Sequence, residues 1–83
     1  MIVTVKVPKV GDSTARVLVV DWLVAAGEHV DAGADMVVIE TDKTELAVPS
    51  PLSGRVVEIL AAPESEIDVG APLCRLDTGD GTQ

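Results

Sequence analysis

The sequence runs to 83 residues with 47% hydrophobic content, no Phe or Tyr and a single Trp, so its core is aliphatic and too small to spare many interior positions for a buried active site. Fourteen acidic against six basic residues give a formal net charge of −8, which argues against nucleic acid or an anionic membrane surface as partner and suits a basic protein surface. One cysteine cannot close an internal disulfide, and no Cys/His cluster has metal-ligand spacing, so the expected compartment is the cytoplasm.

Met1 leads straight into Ile2-Val3-Thr4-Val5-Lys6-Val7. That start lacks the pattern of a signal peptide, and no apolar run in the chain is long enough to span a bilayer, so a soluble, unprocessed protein is expected. Val3, Val5 and Val7 alternate with Thr4 and Lys6, which predicts a half-buried strand ending at Pro8. Pro8 to Ala15 reads as a loop. Its Gly11-Asp12-Ser13 cluster has turn chemistry but not the Gly-Lys-Ser/Thr ending of a phosphate loop.

Arg16 to Val24 is a second extended stretch in which Asp21 breaks the alternation, predicting a bulge or burial on both faces. Gly27 and Gly33 punctuate a short connection around Val30, and Gly33, like Gly70 later, is expected in a turn with positive φ. Met36 to Thr41 and Thr44 to Val48 then read as strands on either side of a tight reversal. Pro49-Ser50-Pro51-Leu52-Ser53-Gly54 is a turn-rich joint.

Beyond that joint the pattern starts again. A shift of 37 positions places Val19 on Val56, Val20 on Val57, Leu23 on Leu60, Asp31 on Asp68, Gly33 on Gly70 and Thr41 on Thr78 without a gap. Conservative pairs fill the spaces, among them Asp21 with Glu58, Trp22 with Ile59, Met36 with Leu73 and Ile39 with Leu76. Two copies of one strand pattern, each too apolar to stand alone, predict an all-β, two-fold sandwich or flattened barrel. The copies differ at one tip: Asp42 and Lys43 fall on Gly79 and Asp80. Residues 1–78 are expected to form the domain and 79–83 a flexible tail or the start of a linker.

Most chemistry-bearing residues have plain readings. Trp22 is expected as a partly buried anchor whose indole N–H needs an acceptor. His29 is expected in solvent, Cys74 as a small packing residue of the last strand, and Asp77 and Asp80 as solvated tail charges without a calcium-loop pattern.

Lys43 is different because of its setting. It stands at the predicted tip of Glu40-Thr41-Asp42-Lys43-Thr44, where Asp can bond nearby backbone while Lys has no comparable local role and projects into water. The stretch from Glu40 through Pro51, followed by Ser53-Gly54, resembles the attachment segment of lipoyl domains in the biotinyl/lipoyl carrier family. The likeness extends through Gly11-Asp12 and Trp22 to Val30 and on to Gly70-Ala71-Pro72-Leu73.

The resemblance implies two four-stranded antiparallel sheets with internal quasi-two-fold symmetry. It also implies lipoate amide-linked to Lys43, with Glu40, Asp42 and Thr44 flanking it for recognition, and no catalytic or metal site in the domain itself. The loop from Lys9 to Arg16 would lie near the lysine and help partner enzymes recognise the domain.

The implied setting is a dihydrolipoyl acyltransferase of a 2-oxo acid dehydrogenase complex. Its partners would be a thiamine diphosphate-dependent 2-oxo acid decarboxylase, the acyltransferase catalytic domain, dihydrolipoyl dehydrogenase, and a lipoate ligase or lipoyl transferase. The first alternative is a biotin carboxyl carrier of a carboxylase, a sister family with Met on both sides of the modified lysine, where this chain has Asp42 and Thr44; a glycine-cleavage carrier, a longer type of protein, and a purely structural module with unmodified Lys43 are the others.

Overall fold

The computed structural model describes residues 1–9, 15–42 and 44–78. Eight strands follow one another: β1 (Ile2–Lys6), β2 (Arg16–Trp22), β3 (His29–Val30), β4 (Asp35–Glu40), β5 (Glu45–Pro49), β6 (Gly54–Ile59), β7 (Glu66–Asp68) and β8 (Pro72–Asp77). They form two four-stranded antiparallel sheets, β1-β8-β6-β3 and β5-β4-β2-β7. All-β architecture follows, as the sequence predicts. The chain changes sheet at every connection except β4 to β5, so only that pair is a hairpin.

The sequence repeat is a repeat of pairing. Leu18, Val19, Asp21 and Trp22 of β2 face Glu40, Ile39, Val38 and Val37 of β4. Thirty-seven residues on, Arg55, Val56, Glu58 and Ile59 of β6 face Asp77, Leu76, Arg75 and Cys74 of β8. The register slips at the same place in both, leaving Val20 and Val57 as the extra residues.

That duplicated bulge has a physical cause. Val17 and Val19 point into the core, so strict alternation would carry Asp21 inward next and bury an unpaired carboxylate at a cost of several kcal/mol, roughly. One extra residue turns Asp21 outward and brings Trp22 against the core. In β6 the same device exposes Glu58, which pairs with Arg75 at 3.3 Å, and turns Ile59 inward.

The core between the sheets consists mainly of aliphatic pairs related by the repeat: Val19 with Val56, Met36 with Leu73 and Ile39 with Leu76 are all fully buried. Cys74 occupies the place of Val37 and is equally buried, which accounts for a cysteine used as a small hydrophobe. Half-buried Trp22 donates its Nε1–H to the Ala61 carbonyl at 2.7 Å, meeting the need for an acceptor. Ser50, the one buried polar residue among those described, donates its hydroxyl to the Leu52 carbonyl at 2.6 Å.

Two very short strands escaped the reading from residues alone. Val30 belongs to the two-residue β3 rather than to a bare connection, and Glu66–Asp68 form the three-residue β7. Runs this short are too brief for a period to be visible. Each closes the edge of its sheet by pairing with a strand distant in sequence, β3 with β6 and β7 with β2.

Glycine serves the fold in two ways. Gly33 and Gly70 have φ of +88° and +90°, as predicted for equivalent turns, with open space where a Cβ would stand. Gly54 has no such backbone, but a Cβ on it would lie 2.7 Å from the Asp77 carbonyl oxygen and 3.1 Å from Thr78 Cα, both main-chain atoms. Gly33→Ala is expected to cost about 1 kcal/mol, through conformation alone. Gly54→Ala is expected to cost about 2–3 kcal/mol, because β6 and β8 must separate. Urea denaturation of the two variants checks the order, and an equal loss at both positions contradicts the close approach.

Candidate functional site

The β4–β5 hairpin is closed by hydrogen bonds next to its tip. Glu40 faces Glu45 as the last registered pair, and residues 41–44 connect them. The Thr41 amide donates to the Thr44 carbonyl at 2.7 Å. The Thr44 amide donates back to Thr41 Oγ1 at 3.2 Å, and the Thr41 hydroxyl donates to the Thr44 carbonyl, also at 3.2 Å. One threonine side chain therefore clasps both ends of the two-residue tip, Asp42-Lys43. A third hydroxyl bond, Thr44 to the Glu45 carbonyl at 3.3 Å, continues the clasp into β5.

Lys43 itself lies outside the described residues. Its neighbours Asp42 and Thr44 are exposed, as are Glu40 and Glu45. Sequence reasoning picked out Glu40, Asp42 and Thr44 here but missed the roles of Thr41 and Glu45. The pairing of Thr41 with Thr78 in the repeat was the available signal for the first.

The electrostatics of the hairpin work against its own stability. Glu40 and Glu45 stand directly opposite each other, an arrangement of like charges that disfavours a strand pair. The equivalent pair in the other sheet, Asp77 with Ile2, carries no such repulsion. Three carboxylates, Glu40, Asp42 and Glu45, surround one lysine in the sequence.

The remaining candidates disperse. His29 is exposed on β3, its Nε2 3.0 Å from Asp31 Oδ1, as the solvated reading has it. Asp77 is part of β8 rather than a tail residue and lies 3.5 Å from the Met1 amine. Asp80 and residues 10–14, the centre of the expected recognition loop, lie outside the described residues, whereas Arg16 is bound to Glu66 and Asp68 at 3.3 and 3.2 Å. Among the described residues, no group of three or more His, Cys, Asp or Glu side chains is placed to hold a metal ion. Surface grooves among the described residues include one lined by Val5, Pro8, Val48 and Pro51 at the end of β5 remote from residues 41–44, and one lined by His29, Arg55, Asp77 and Thr78.

Burial pushes the Cys74 thiol up to about 11, because the thiolate would lose its hydration inside the core. The fold thus favours the neutral thiol, and the stability this contributes is present below the free-thiol value of 9.0 and is lost as pH rises toward 11. Labelling by an aromatic disulfide reagent at neutral pH is expected to follow unfolding, with complete reaction only in denaturant; rapid labelling of the native protein contradicts this. Thr41→Val is expected to cost about 1 kcal/mol and to speed hydrogen exchange of the Thr44 amide, while amides in β6 and β8 keep their protection.

The family model described as "Biotin-requiring enzyme", covering biotin and lipoyl attachment domains, matches residues 3–76. The chain is similar to the dihydrolipoyllysine-residue acetyltransferase component of the pyruvate dehydrogenase complex of Corynebacterium glutamicum, 36% identical over 87% of this chain and 11% of that protein. It is similar to the dihydrolipoyllysine-residue succinyltransferase component of the 2-oxoglutarate dehydrogenase complex of Bartonella vinsonii subsp. berkhoffii, 34% identical over 95% of this chain and 19% of that protein. A third relative, the lipoamide acyltransferase component of the branched-chain alpha-keto acid dehydrogenase complex of Pseudomonas aeruginosa, is 33% identical over 88% of this chain and 17% of its own length. The chain therefore spans less than a fifth of each of these relatives. In fold it is similar to part of a single-chain, multi-domain long-chain acyl-CoA carboxylase, with a TM-score of 0.77, 22% identity, and coverage of 98% of this chain and 7% of that one.

Proposed function

The chain belongs to the biotin/lipoyl attachment family, and on that premise we propose that it is a lipoyl carrier domain serving a 2-oxo acid dehydrogenase complex. The observation that carries this reading is the exposed hairpin clasped by Thr41, with Asp42 and Thr44 on either side of its single lysine. Relatives named for lipoyl chemistry support lipoate over biotin.

In this reading Lys43 holds lipoate through an amide on Nζ, which removes the lysine's positive charge. When bound, lipoate supplies a strained cyclic disulfide that can take up an acyl group and reducing equivalents. The chain's own residues do the rest. Thr41 and Thr44 fix where the tip leaves the sheet, and the paired strands on either side, anchored in the core by Met36, Val37, Ile39 and Val48, give it a rigid base. Glu40, Asp42 and Thr44 present the surface that a ligase and the partner enzymes read. A tethered group then reaches successive active sites at high effective concentration without diffusing free.

The domain acts as a carrier and not as an enzyme in its own right, within an acyltransferase component working in the cytoplasm. Its partners are the thiamine diphosphate-dependent decarboxylase, the acyltransferase catalytic domain, dihydrolipoyl dehydrogenase and the lipoate-attaching enzyme; nucleic acid and membrane are not among them. A second reading, a biotin carboxyl carrier, draws on the family's inclusion of biotin domains.

Intact-mass analysis of the protein from cells supplied with both lipoate and biotin separates the two. A lipoyl adduct is expected, lost completely in Lys43→Arg. Exchanging Asp42 and Lys43, which keeps composition and charge, is expected to reduce modification by about tenfold or more, since misplacing a reacting group by a residue removes it from a shaped site. A biotinyl adduct overturns lipoate in favour of biotin, and no adduct at all overturns both.

A further inference from the structure

The two sheets share a backbone but not a surface. Because the register of β2 with β4 repeats in β6 with β8, outward positions on these strands have counterparts in the other sheet, and the molecule contains its own control. At the centre of the lysine-bearing sheet's outer face stand Leu18, Val20, Val38 and Ala47, all half-buried and none packed against the core. Leu18 lies between Glu40 and Glu66, and Val38 between Asp21 and Ala47. The other sheet places Arg55 where this one has Leu18 and Arg75 where it has Val38.

Charge divides in the same sense. The strands β5-β4-β2-β7 carry Asp21, Asp35, Glu40, Glu45, Glu66 and Asp68 against Arg16 alone, and Arg16 is taken up by Glu66 and Asp68. The strands β1-β8-β6-β3 carry Glu58 and Asp77 against Lys6, Arg55 and Arg75. One backbone thus supports on one side a surface of mixed charge, where Arg75 pairs with Glu58 and Ile2 and Val57 stand exposed among the arginines. On the other it supports an apolar centre with an acidic rim, the anatomy of a protein interface.

We propose that the outer face of the β5-β4-β2-β7 sheet is a docking surface for a protein partner whose contacting surface is rich in Lys and Arg around an apolar centre. The face is continuous with the hairpin, since β4 and β5 form both. A partner seated on it is therefore aligned along the strands that lead to the 41–44 connection. The acidic rim speeds and orients encounter, and the apolar patch Leu18, Val20, Val38 and Ala47 holds the complex once formed. Resting on the carrier reading, the partner assigned to the face is the decarboxylase that loads the carrier.

The test uses the opposite sheet as template. Leu18→Arg with Val38→Arg copies Arg55 and Arg75 onto equivalent backbone, and Arg55→Leu with Arg75→Val makes the reverse exchange. Unmodified, isotope-labelled wild-type and variant chains are titrated with purified decarboxylases of pyruvate, 2-oxoglutarate and branched-chain 2-oxo acid complexes, and amide signals are followed by NMR. With at least one enzyme the wild type is expected to show changes at Leu18, Val38 and Ala47 and none across β1-β8-β6-β3. The Leu18/Val38 variant is expected to lose them, and once lipoylated to be acylated about tenfold more slowly, whereas the reverse variant stays within about twofold of wild type.

Circular dichroism and the extent of lipoylation are recorded on the same samples to establish that the variants fold and accept the cofactor. Signal changes confined to the hairpin or to the opposite sheet overturn the proposal. So does wild-type binding and acylation by a folded, lipoylated Leu18/Val38 variant, or an absence of change with all three enzymes. If the wild type acquires no lipoate in cells, the carrier reading fails and the assignment of the decarboxylase falls with it; normal lipoylation with indifferent variants rejects the docking face alone.

Discussion

Everything in this protein depends on two sheets, each apolar on one side, covering each other. Neither sheet has another partner for its inner face, and the side chains that meet there, Val19, Ile39, Val56 and Leu76 among them, are fully excluded from solvent. At about 25 cal/mol for each Å² of apolar surface removed from water, such contacts supply most of what holds a chain this short together. The duplicated bulges follow from that constraint. Without the extra residue at Val20 and at Val57, the core would take in Asp21 and Glu58 and lose Trp22 and Ile59.

The near-symmetry extends to the hydrogen bonds beyond the strand ends. The hydrogen bonds from Thr41 to Thr44 recur as bonds from Thr78 to Met1: the amide of each threonine donates to the opposing carbonyl, at 2.7 and 2.9 Å, and so does its hydroxyl, at 3.2 and 3.4 Å. In one sheet that clasp closes a hairpin whose tip includes Lys43. In the other it joins Thr78 to Met1 beside the β1–β8 pair.

Charge departs from symmetry more sharply than shape does. Glu40 opposite Glu45 weakens the very strand pair that carries the lysine, and Leu18 and Val38 leave apolar surface in water where arginines stand in the other half. The counterpart surface has no facing pair of like charges, sets Arg75 beside Glu58, and leaves Ile2 and Val57 as its exposed large apolar residues. Because the backbone accepts both sets of side chains, folding alone does not require the acidic and apolar set. Binding another protein gives it a use.

Much of this could be read from the chain itself, because its signals are local or periodic. The alternation of Val3, Val5 and Val7 marked the first strand, the misfit of Asp21 marked a bulge, and the gap-free repeat marked a two-fold all-β fold with Gly33 and Gly70 in equivalent turns. The setting of Lys43 pointed to a carrier. What the sequence could not specify was decided by partners distant along the chain. His29–Val30 and Glu66–Asp68 are strands only because β6 and β2 offer them free edges. Gly54 is required by the Asp77 carbonyl oxygen, which no local pattern announces. The gathering of Leu18, Val38 and Ala47 within a rim of carboxylates likewise arises from register between strands, since a face of a sheet is assembled from residues that lie far apart in sequence and become neighbours only when the strands pair.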